Sequence, residues 1–271
     1  MLDDLTTYRL QDFLLFDAAT YQGLFAQMNP PLGLLPAVTV LSGLVALAMI
    51  PALLTVAMRI AAAVLAASFA LAGAEFFLGP YATINWAAVY PAWLFFGQAG
   101  LLVVVGTLAG RLDPVTDKTS PRAILATTVT LYALLIHPLT GFVGGRDLQA
   151  LEWFGLAPDP TALAALGFLA FSLSRWRLVL AVAPILWLAI STLTLWTLEL
   201  DIEAVLLAAG SLLGVAALFM PASARPVQAS GAAGRSEPIA AFADRPARPV
   251  GQPIPATLVP TSPLRSGTTR H

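Results

Sequence analysis

Ionisable and amide side chains are rare in the apolar part of this sequence, and those that occur there are candidates for chemistry. The candidates for binding a solute are Glu75, Asn85, Gln98, His137, Arg146 and Glu152. Such groups cost free energy when buried unless they are hydrogen-bonded, ion-paired or hydrated, and ionisable side chains inside membrane segments mark paths for ions and protons. Glu75 or His137 could change its protonation during transport, and Arg146 could pair with Glu75 or Glu152 or bind an anionic ligand.

Most of these side chains also have a purely structural interpretation. Asn85 could cap a helix that begins at Trp86, an aromatic residue typical of the membrane interface. Gln98 lies between two glycines that allow close helix packing, and its amide could donate across such a contact. His137 precedes Pro138, which lacks a backbone N–H and leaves a carbonyl for a neighbour to satisfy. The sequence leaves both interpretations open.

Several kinds of chemistry are excluded by residues that the sequence lacks. It contains no cysteine, and the one histidine besides His137 is His271, so thiol chemistry, thiolate metal sites and multi-histidine metal sites are excluded. It has no nucleotide-binding or hydrolase motif and no evident pair of nucleophile and base. We therefore assign no catalytic residue, no metal ligand and no cofactor. The net charge of −1 argues against binding to nucleic acid.

The composition places most of the chain in a lipid bilayer. Of the 271 residues, 58% are hydrophobic and 11% are charged, whereas soluble domains carry about 25% charged residues. An apolar run of about 20 residues can cross the hydrocarbon core as a helix. Seven runs approach this length, at residues 32–58, 60–78, 86–109, 123–143, 160–174, 178–198 and 202–220. We predict an all-α, polytopic bundle of about seven transmembrane helices.

The two ends of the chain differ from this apolar region. Residues 1–31 carry apolar side chains at helical spacing, and we predict a short first helix and then a second one that Asp17 caps and that ends at Asn29. Such an amphipathic helix lies in the membrane interface, although a helix packed on a soluble cap has the same pattern. Residues 222–271 are rich in Pro, Ala and Arg, which predicts a disordered tail after the seven-span domain, 32–221.

The distribution of charge predicts the orientation of the chain. With seven spans, twelve of the 14 lysine and arginine residues fall on one side of the membrane, and Arg9 and Arg146 fall on the other. Because positively charged loops stay in the cytoplasm, we expect an inner, or plasma, membrane protein with its N-terminus outside and its tail in the cytoplasm. Glu199, Asp201 and Glu203 then lie on the outer side, where they are typical of a hydrated rim.

The connection between the fourth and fifth predicted spans carries most of the outward polar residues. Gly144 and Gly145 are expected to end a helix, and residues 146–153 to form a short amphipathic piece. Asp159 directly precedes Pro160, a pair typical of a helix N-cap followed by proline in the first turn.

Three stretches of the chain carry a resemblance. They are YRLQDFLLFDAATYQGLFAQMN, INWAAVYPAWLFFGQAGLL and HPLTGFVGGRDLQALEWFGLAPDPTALAALGFL. They resemble a family of uncharacterised bacterial integral membrane proteins, a domain of unknown function, over about residues 8–220. The matching pattern comprises Tyr8-Arg9, Asn85-Trp86, Pro138, Gly145-Arg146, Glu152, Phe154-Gly155 and Pro158-Asp159-Pro160-Thr161. Members are sometimes labelled permeases of the major facilitator type, a label that about seven spans do not fit, and the resemblance transfers no catalytic or binding residue.

Three hypotheses of function follow. The leading one is a permease or binding protein for a small solute or ion, with an outward polar cavity lined by the six candidate side chains. The rival is a non-transporting membrane scaffold or sensor that acts through a protein partner or as a homo-oligomer, and a membrane enzyme ranks third. A permease predicts Glu75, Gln98 and His137 around one cavity, a scaffold predicts each of them buried with a single hydrogen bond, and an enzyme predicts two titratable groups within hydrogen-bond reach beside a pocket.

Overall fold

The computed structural model describes residues 15–115 and 117–221, which are helical and contain no β-strand. In chain order the α-helices are α1 (Ala18–Leu32), α2 (Leu35–Leu71), α3 (Pro80–Ile84), α4 (Val89–Leu101), α5 (Pro121–Leu131), α6 (His137–Val143), α7 (Pro158–Ala170), α8 (Trp176–Thr197) and α9 (Asp201–Phe219). The described residues also form π-helical segments at Ala72–Phe77, Leu102–Leu108 and Tyr132–Ile136. Two 3-10 turns lie at Trp86–Ala88 and Leu148–Ala150. The predicted all-α class is confirmed for this part of the chain; residues 1–14 and the predicted tail lie outside it.

Five helical segments of the described residues are long and apolar enough to cross a membrane. They are Thr55–Ile84, Trp86–Leu108, Pro121–Val143, Trp176–Thr197 and Asp201–Phe219. They correspond to the second, third, fourth, sixth and seventh predicted spans. A sixth candidate is a bent pair, Ala18–Pro31 and Leu35–Pro51, whose axes meet at 91°. These helices are compatible with a membrane protein, but the predicted count of seven spans is not confirmed.

The first two predicted spans both lie within the helical element α2, whose second half continues through Arg59. Thr39 and Ser68 of this helix both lie within 3.2 Å of the point where a Cβ atom on Gly155 would stand. A straight helix would hold these two residues about 43 Å apart. The chain therefore folds back on itself between them, and Pro51 lies in that interval. The boundary predicted beside Arg59 lies inside the helix, because a single arginine does not interrupt helical hydrogen bonding whereas proline does.

α7 lies at the centre of the described bundle. All 13 of its side chains are buried, and it packs against α2, α5, α8 and α9. Thirteen residues rise about 20 Å, less than the roughly 30 Å of a hydrocarbon core. The fifth predicted span, residues 160–174, is instead a helix enclosed by protein and too short to cross, because an apolar run of this length also suits a core helix.

Charged side chains stand at both ends of α7. Asp159 lies in its first turn. Arg122, at the start of α5, donates from Nε to the carbonyl oxygen of Ala170 at 2.7 Å and from Nη2 to that of Ser172. A helix carries partial positive charge at its N-terminus and partial negative charge at its C-terminus, so the sign of each side chain stabilises the helix end that it faces.

The basic side chains of the described residues collect at one end of the bundle, which we call the arginine end. They are Arg59, Arg111, Lys118, Arg122, Arg175 and Arg177. The Arg59 guanidinium lies against Gly110, which brings the α2 arginine to the loop before α5. Arg146 follows the other end of the segment Pro121–Val143 and is the one described basic residue there. We call that end, where α1, residues 144–157 and the start of α9 meet, the acidic end.

α1 lies at the acidic end and packs on the protein. The carboxylate of Asp17 caps it, because Thr20 N donates to Asp17 Oδ1 at 2.8 Å, as the sequence predicted. The helix runs through two prolines to Leu32 rather than ending at Asn29, since the fixed φ of proline is helical, and it stops where Gly33 adopts a φ of +56°. Its buried apolar side chains are Tyr21, Leu24, Phe25 and Met28.

Candidate functional site: a buried charged cluster

Five titratable side chains meet inside the bundle near the acidic end. They are His137, Arg146, Glu152, Asp159 and Glu203, all buried, and we call them the buried cluster. His137 lies six residues before Val143, the last residue of α6, which places it about 9 Å below that end of the helix. If the long helices cross a membrane, the cluster therefore lies at the depth of the hydrocarbon and not at the surface.

The chain returns to this depth through residues 144–157, the re-entrant segment. It leaves α6 at Gly144 and turns at Gly145, whose φ is +77°, so the predicted helix end is confirmed. The amphipathic piece predicted at residues 146–153 is reduced to one 3-10 turn, Leu148–Ala150, followed by extended chain. The second half of the segment is largely buried. Irregular backbone at membrane depth is tolerated where protein covers it or water reaches it, and here protein covers most of it.

Side chains of two helices hold the re-entrant segment in place. Asn29 of α1 donates from Nδ2 to the carbonyl oxygens of Gln149 and Leu151, both at 2.8 Å. The hydroxyl of Thr161 in α7 accepts from Gly155 N, also at 2.8 Å. These bonds satisfy backbone groups that have no helix or sheet partner, and they fix the segment beside the cluster.

Arg146 bridges two glutamates of the buried cluster. Its Nη1 donates to Oε1 of Glu152 at 2.9 Å, and its Nη2 donates to Oε2 of Glu203 at 2.7 Å. The guanidinium also lies 5.7 Å from the ring centre of Phe25, and Gln22 donates to the other oxygen of Glu203 at 3.3 Å. Pairing with Glu152 was one of the three roles that the sequence left open for Arg146, and the structure shows it. Such charge-assisted bonds offset part of the cost of removing these ions from water.

Asp159 is the most deeply buried acid of the cluster, with 1% of its surface exposed. Its Oδ1 accepts from the indole Nε1 of Trp187 and its Oδ2 accepts from the hydroxyl of Ser191, both at 2.7 Å. It is not the N-cap that the sequence predicted, since Ala157 holds that position and Pro158 is the first helical residue. The carboxylate is instead directed towards α8 by two donors spaced four residues apart.

The two carboxyl groups nearest His137 have pKa values shifted in opposite directions. Burial raises the pKa of Asp159, assisted by the charge of Glu152 and opposed by its two hydrogen bonds. Burial would also raise the pKa of Glu152, but the charge of Arg146 and its hydrogen bond outweigh burial and lower that pKa. Neighbouring carboxyls with separated pKa values can differ in protonation at neutral pH.

His137 is buried, 6% exposed, and makes no side-chain hydrogen bond to the described residues. Its Nε2 lies 3.5 Å from Oε2 of Glu152, beyond the usual range of a hydrogen bond. One ligand atom each of His137, Glu152 and Asp159 lie within 4.8 Å of one another. The space between His137, Glu152 and Asp159 favours positive charge, so these side chains can hold a cation or share protons.

The helix that carries His137 is irregular at this position. The π-helical segment Tyr132–Ile136 directly precedes it, and Pro138 follows as an early residue of α6. Proline lacks an N–H and its ring clashes with the carbonyl of the preceding turn, and a wide π turn leaves room for that ring. Such π segments are frequent at functional sites.

A cleft of about 280 Å³ opens beside the buried cluster at the acidic end. It is lined by Val143, Gly144 and residues 199–203. Glu203 therefore faces the cleft on one side and Arg146 on the other. The Arg146–Glu203 pair therefore separates the cleft from His137, Glu152 and Asp159.

A comparison with known proteins assigns the chain to a protein family. The Family of unknown function (DUF6064) matches residues 18–227, which is most of the chain. The chain belongs to this family. The three stretches were expected to belong to a family of unknown function, and this part of the expectation is confirmed. The match states neither an organism nor a membrane location. No curated protein and no solved structure matches the chain.

Of the six candidate residues in this DUF6064 protein, three meet in the buried cluster: His137, Arg146 and Glu152. The other three do not. Asn85 caps the 3-10 helix by accepting from Ala87 N at 2.9 Å and donates to the hydroxyl of Tyr81, also at 2.9 Å. Gln98 is buried and donates to a carbonyl oxygen of α8 at 2.7 Å. Glu75 is half-buried in a π-helical segment and forms no ion pair within the described ranges.

Four residues of this DUF6064 protein's site were missed in the sequence. Asp159 was interpreted as a helix cap, and Glu203 as part of a hydrated rim. Trp187 and Ser191, the donors to Asp159, lie in an apolar run where a tryptophan is common. Their spacing of four residues on one helix face was the available signal, since two hydrogen-bonding groups on a buried face predict a polar partner.

Proposed function

We propose that this protein is a membrane permease for a small cation and that His137, Glu152 and Asp159 form its ion site. The observation that supports the proposal is the convergence of these three side chains at the start of a half-length helix. Ionisable groups at membrane depth are costly and mark the paths of ions and protons. The location in a bacterial inner membrane, with the acidic end outside, belongs to the same proposal and follows from the positive charge at the other end.

The energetic cost of the buried cluster supports a role beyond stability. Each charge removed from water costs several kcal/mol, and well-packed apolar residues of similar volume are often as stabilising as a buried ion pair. Five titratable groups in one interior site are therefore a poor solution for holding helices together. Their presence in one interior site is easier to explain if a cation passes through them.

The position of α7 also supports transport. Membrane transporters commonly place ion and substrate sites where a helix is interrupted inside the membrane, because unpaired backbone groups and side chains converge there. α7 begins beside the buried cluster and ends at the arginine end, where Arg122 binds its last carbonyls. It is thus a half-length helix directed from the proposed site towards the opposite side.

Competition for Glu152 is the step that the geometry favours. A cation entering the cleft meets Glu203 and then competes with Arg146 for the carboxylates. Once the cation lies between His137, Glu152 and Asp159, it contacts Oε2 of Glu152, while Arg146 keeps its bonds to Oε1 of Glu152 and to Glu203. Release towards the arginine end requires the helices around α7 to shift, since its side chains are enclosed on every side.

Ion influx into liposomes containing the purified full-length chain tests the proposal. Trapped fluorescent indicators report H⁺, Na⁺, K⁺ and Zn²⁺ in parallel. We expect at least one ion to enter faster than it enters empty liposomes, and Glu152→Gln to slow that entry about ten-fold or more. Glu75→Gln is the matched control, because it makes the same chemical change outside the cluster, and it should leave the rate within about two-fold of the unmodified protein.

The rival function is a non-transporting scaffold, which is favoured by Asn85 and Gln98. Gln98 is buried and makes one hydrogen bond, to a carbonyl oxygen of α8, as the scaffold hypothesis predicts, and the hydrogen bonds of Asn85 are local. The liposome experiment decides between the two. Rates equal to those of empty liposomes for all four ions, or equal losses in Glu152→Gln and Glu75→Gln, would contradict the permease and leave the cluster as a structural element.

A further inference from the structure

We infer that His137, Glu152 and Asp159 are ligands for a divalent first-row transition-metal ion. The inference rests on the proposed function, since it names the class of cation that the site takes. It is carried by the donor set, by the spacing of the ligand atoms and by an unsatisfied buried histidine. The sequence excluded a multi-histidine site, left metal binding by His137 as one of three possible roles and assigned no metal ligand.

The donor set selects the class of ion. One imidazole nitrogen and two carboxylates are ligands that Zn²⁺, Mn²⁺, Fe²⁺ and Co²⁺ accept. Mg²⁺ and Ca²⁺ prefer sites built from oxygen alone, which an imidazole does not complete. A mixed site of this kind needs one histidine, so the scarcity of histidine that excludes a multi-histidine site does not exclude it.

The spacing of the ligand atoms matches a metal ion better than a hydrogen bond. The distance of 3.5 Å between Nε2 of His137 and Oε2 of Glu152 is long for a hydrogen bond. Two ligands of a tetrahedral zinc, each about 2.0–2.1 Å from the ion, are roughly 3.4 Å apart. One ligand atom each of His137, Glu152 and Asp159 lie within 4.8 Å of one another, so a small movement completes a three-ligand set.

The unsatisfied histidine is independent support. Neither nitrogen of His137 has a hydrogen-bond partner in residues 15–115 and 117–221, although the side chain is 94% enclosed. A buried polar group without a partner costs free energy, and such groups are rare in native proteins. A bound cation at one of these nitrogens removes part of that cost.

The surrounding groups fix the carboxylates in ways that suit metal ligands. Arg146 binds Oε1 of Glu152 and leaves Oε2 directed towards His137. Trp187 and Ser191 bind the two oxygens of Asp159. Hydrogen bonds of this kind hold ligating side chains in orientation, and losing them commonly costs 10–100-fold in metal affinity.

Zinc binding by the detergent-purified full-length chain, prepared without a polyhistidine tag, tests the inference. Titration calorimetry with ZnCl₂ should show one site per chain, and MgCl₂ should show none. His137→Gln and Asp159→Asn should each weaken zinc binding about ten-fold or more. His271→Gln removes the other histidine and is the matched control, which should bind zinc as the unmodified chain does. Binding that survives His137→Gln, or that is lost equally in His271→Gln, would overturn the site.

A second measurement keeps the test decisive if His137→Gln does not fold. Zinc X-ray absorption of the His271→Gln protein should show one imidazole nitrogen in the first shell, because only His137 can then supply it. A shell of oxygen alone would overturn the assignment. Zinc binding in detergent without ion influx in liposomes would contradict the permease alone, and influx without zinc binding would contradict the metal site alone.

Discussion

Arg146 is the residue that balances the charge of the buried cluster. Its two terminal nitrogens reach glutamates on two different elements, Glu152 in the re-entrant segment and Glu203 in α9. The planar guanidinium makes this bridging possible, because its donors point in fixed, separate directions. The side chain thereby ties the start of α9 to the re-entrant segment while two carboxylates remain ionised in the interior.

Loss of the Arg146 charge should therefore destabilise the protein strongly. We expect Arg146→Gln to lower the free energy of unfolding by about 3–5 kcal/mol, because it leaves two buried carboxylates without their partner. Thermal unfolding in detergent measures the effect. Arg111→Gln makes the same change at an exposed position and should shift the stability by less than about 0.5 kcal/mol. Equal melting temperatures for the two variants would show that Arg146 does not hold the cluster.

The re-entrant segment contains two glycines with positive φ angles, Gly145 and Gly155. Gly155 adopts a φ of +83° and lies against α2, where a Cβ atom would stand 2.8 Å from Cβ of Thr39. Gly145, earlier in the segment, has a similar φ of +77°, but a Cβ there would meet no atom within 4 Å. Substitution of Gly145 therefore tests the backbone conformation alone, whereas substitution of Gly155 tests the backbone conformation and the close packing together.

Alanine at these two positions should have unequal effects. Gly145→Ala should cost about 1–2 kcal/mol, which is the penalty of a left-handed conformation for a residue with a side chain. Gly155→Ala carries the same penalty and adds overpacking against Thr39, for a total of about 2–4 kcal/mol. Thermal unfolding of both variants is the measurement. A smaller loss for Gly155→Ala than for Gly145→Ala would contradict the close packing of this segment on α2.

At the scale of the whole molecule, charge is segregated along the described bundle. Six of its basic residues lie at the arginine end, while Arg146 and the acidic cleft lie at the other. If the long helices cross a membrane, this arrangement favours the arginine end in the cytoplasm. The proposed ion site then opens to the outside.

The absence of cysteine makes this orientation directly testable, because a single introduced thiol is the only one in the protein. A membrane-impermeant maleimide should label Asp147→Cys in intact cells and Arg111→Cys only after lysis; both positions are exposed. Labelling of both from outside would contradict a membrane-crossing Pro121–Val143, and a reversed pattern would contradict the orientation.

Local sequence determined those parts of the protein that depend on neighbours in the chain. Apolar runs and scarce charge predicted an all-α chain with membrane-length helices, five of which are present. The caps at Asp17 and Asn85 and the helix end at Gly144 were also predictable, because each involves a side chain or a φ angle within a few residues. The packing bond of Gln98 was one of the two interpretations that the sequence allowed.

Tertiary structure alone decided which charged residues meet. His137, Glu152, Asp159 and Glu203 have no regular spacing, and they come together because the chain after α6 turns back into the bundle and α7 begins there. The same apolar pattern suits a membrane-crossing helix and a buried one, so the enclosure of α7 follows only from the helices packed around it. Contacts between distant residues depend on the packing of whole helices, which short-range periodicity does not encode.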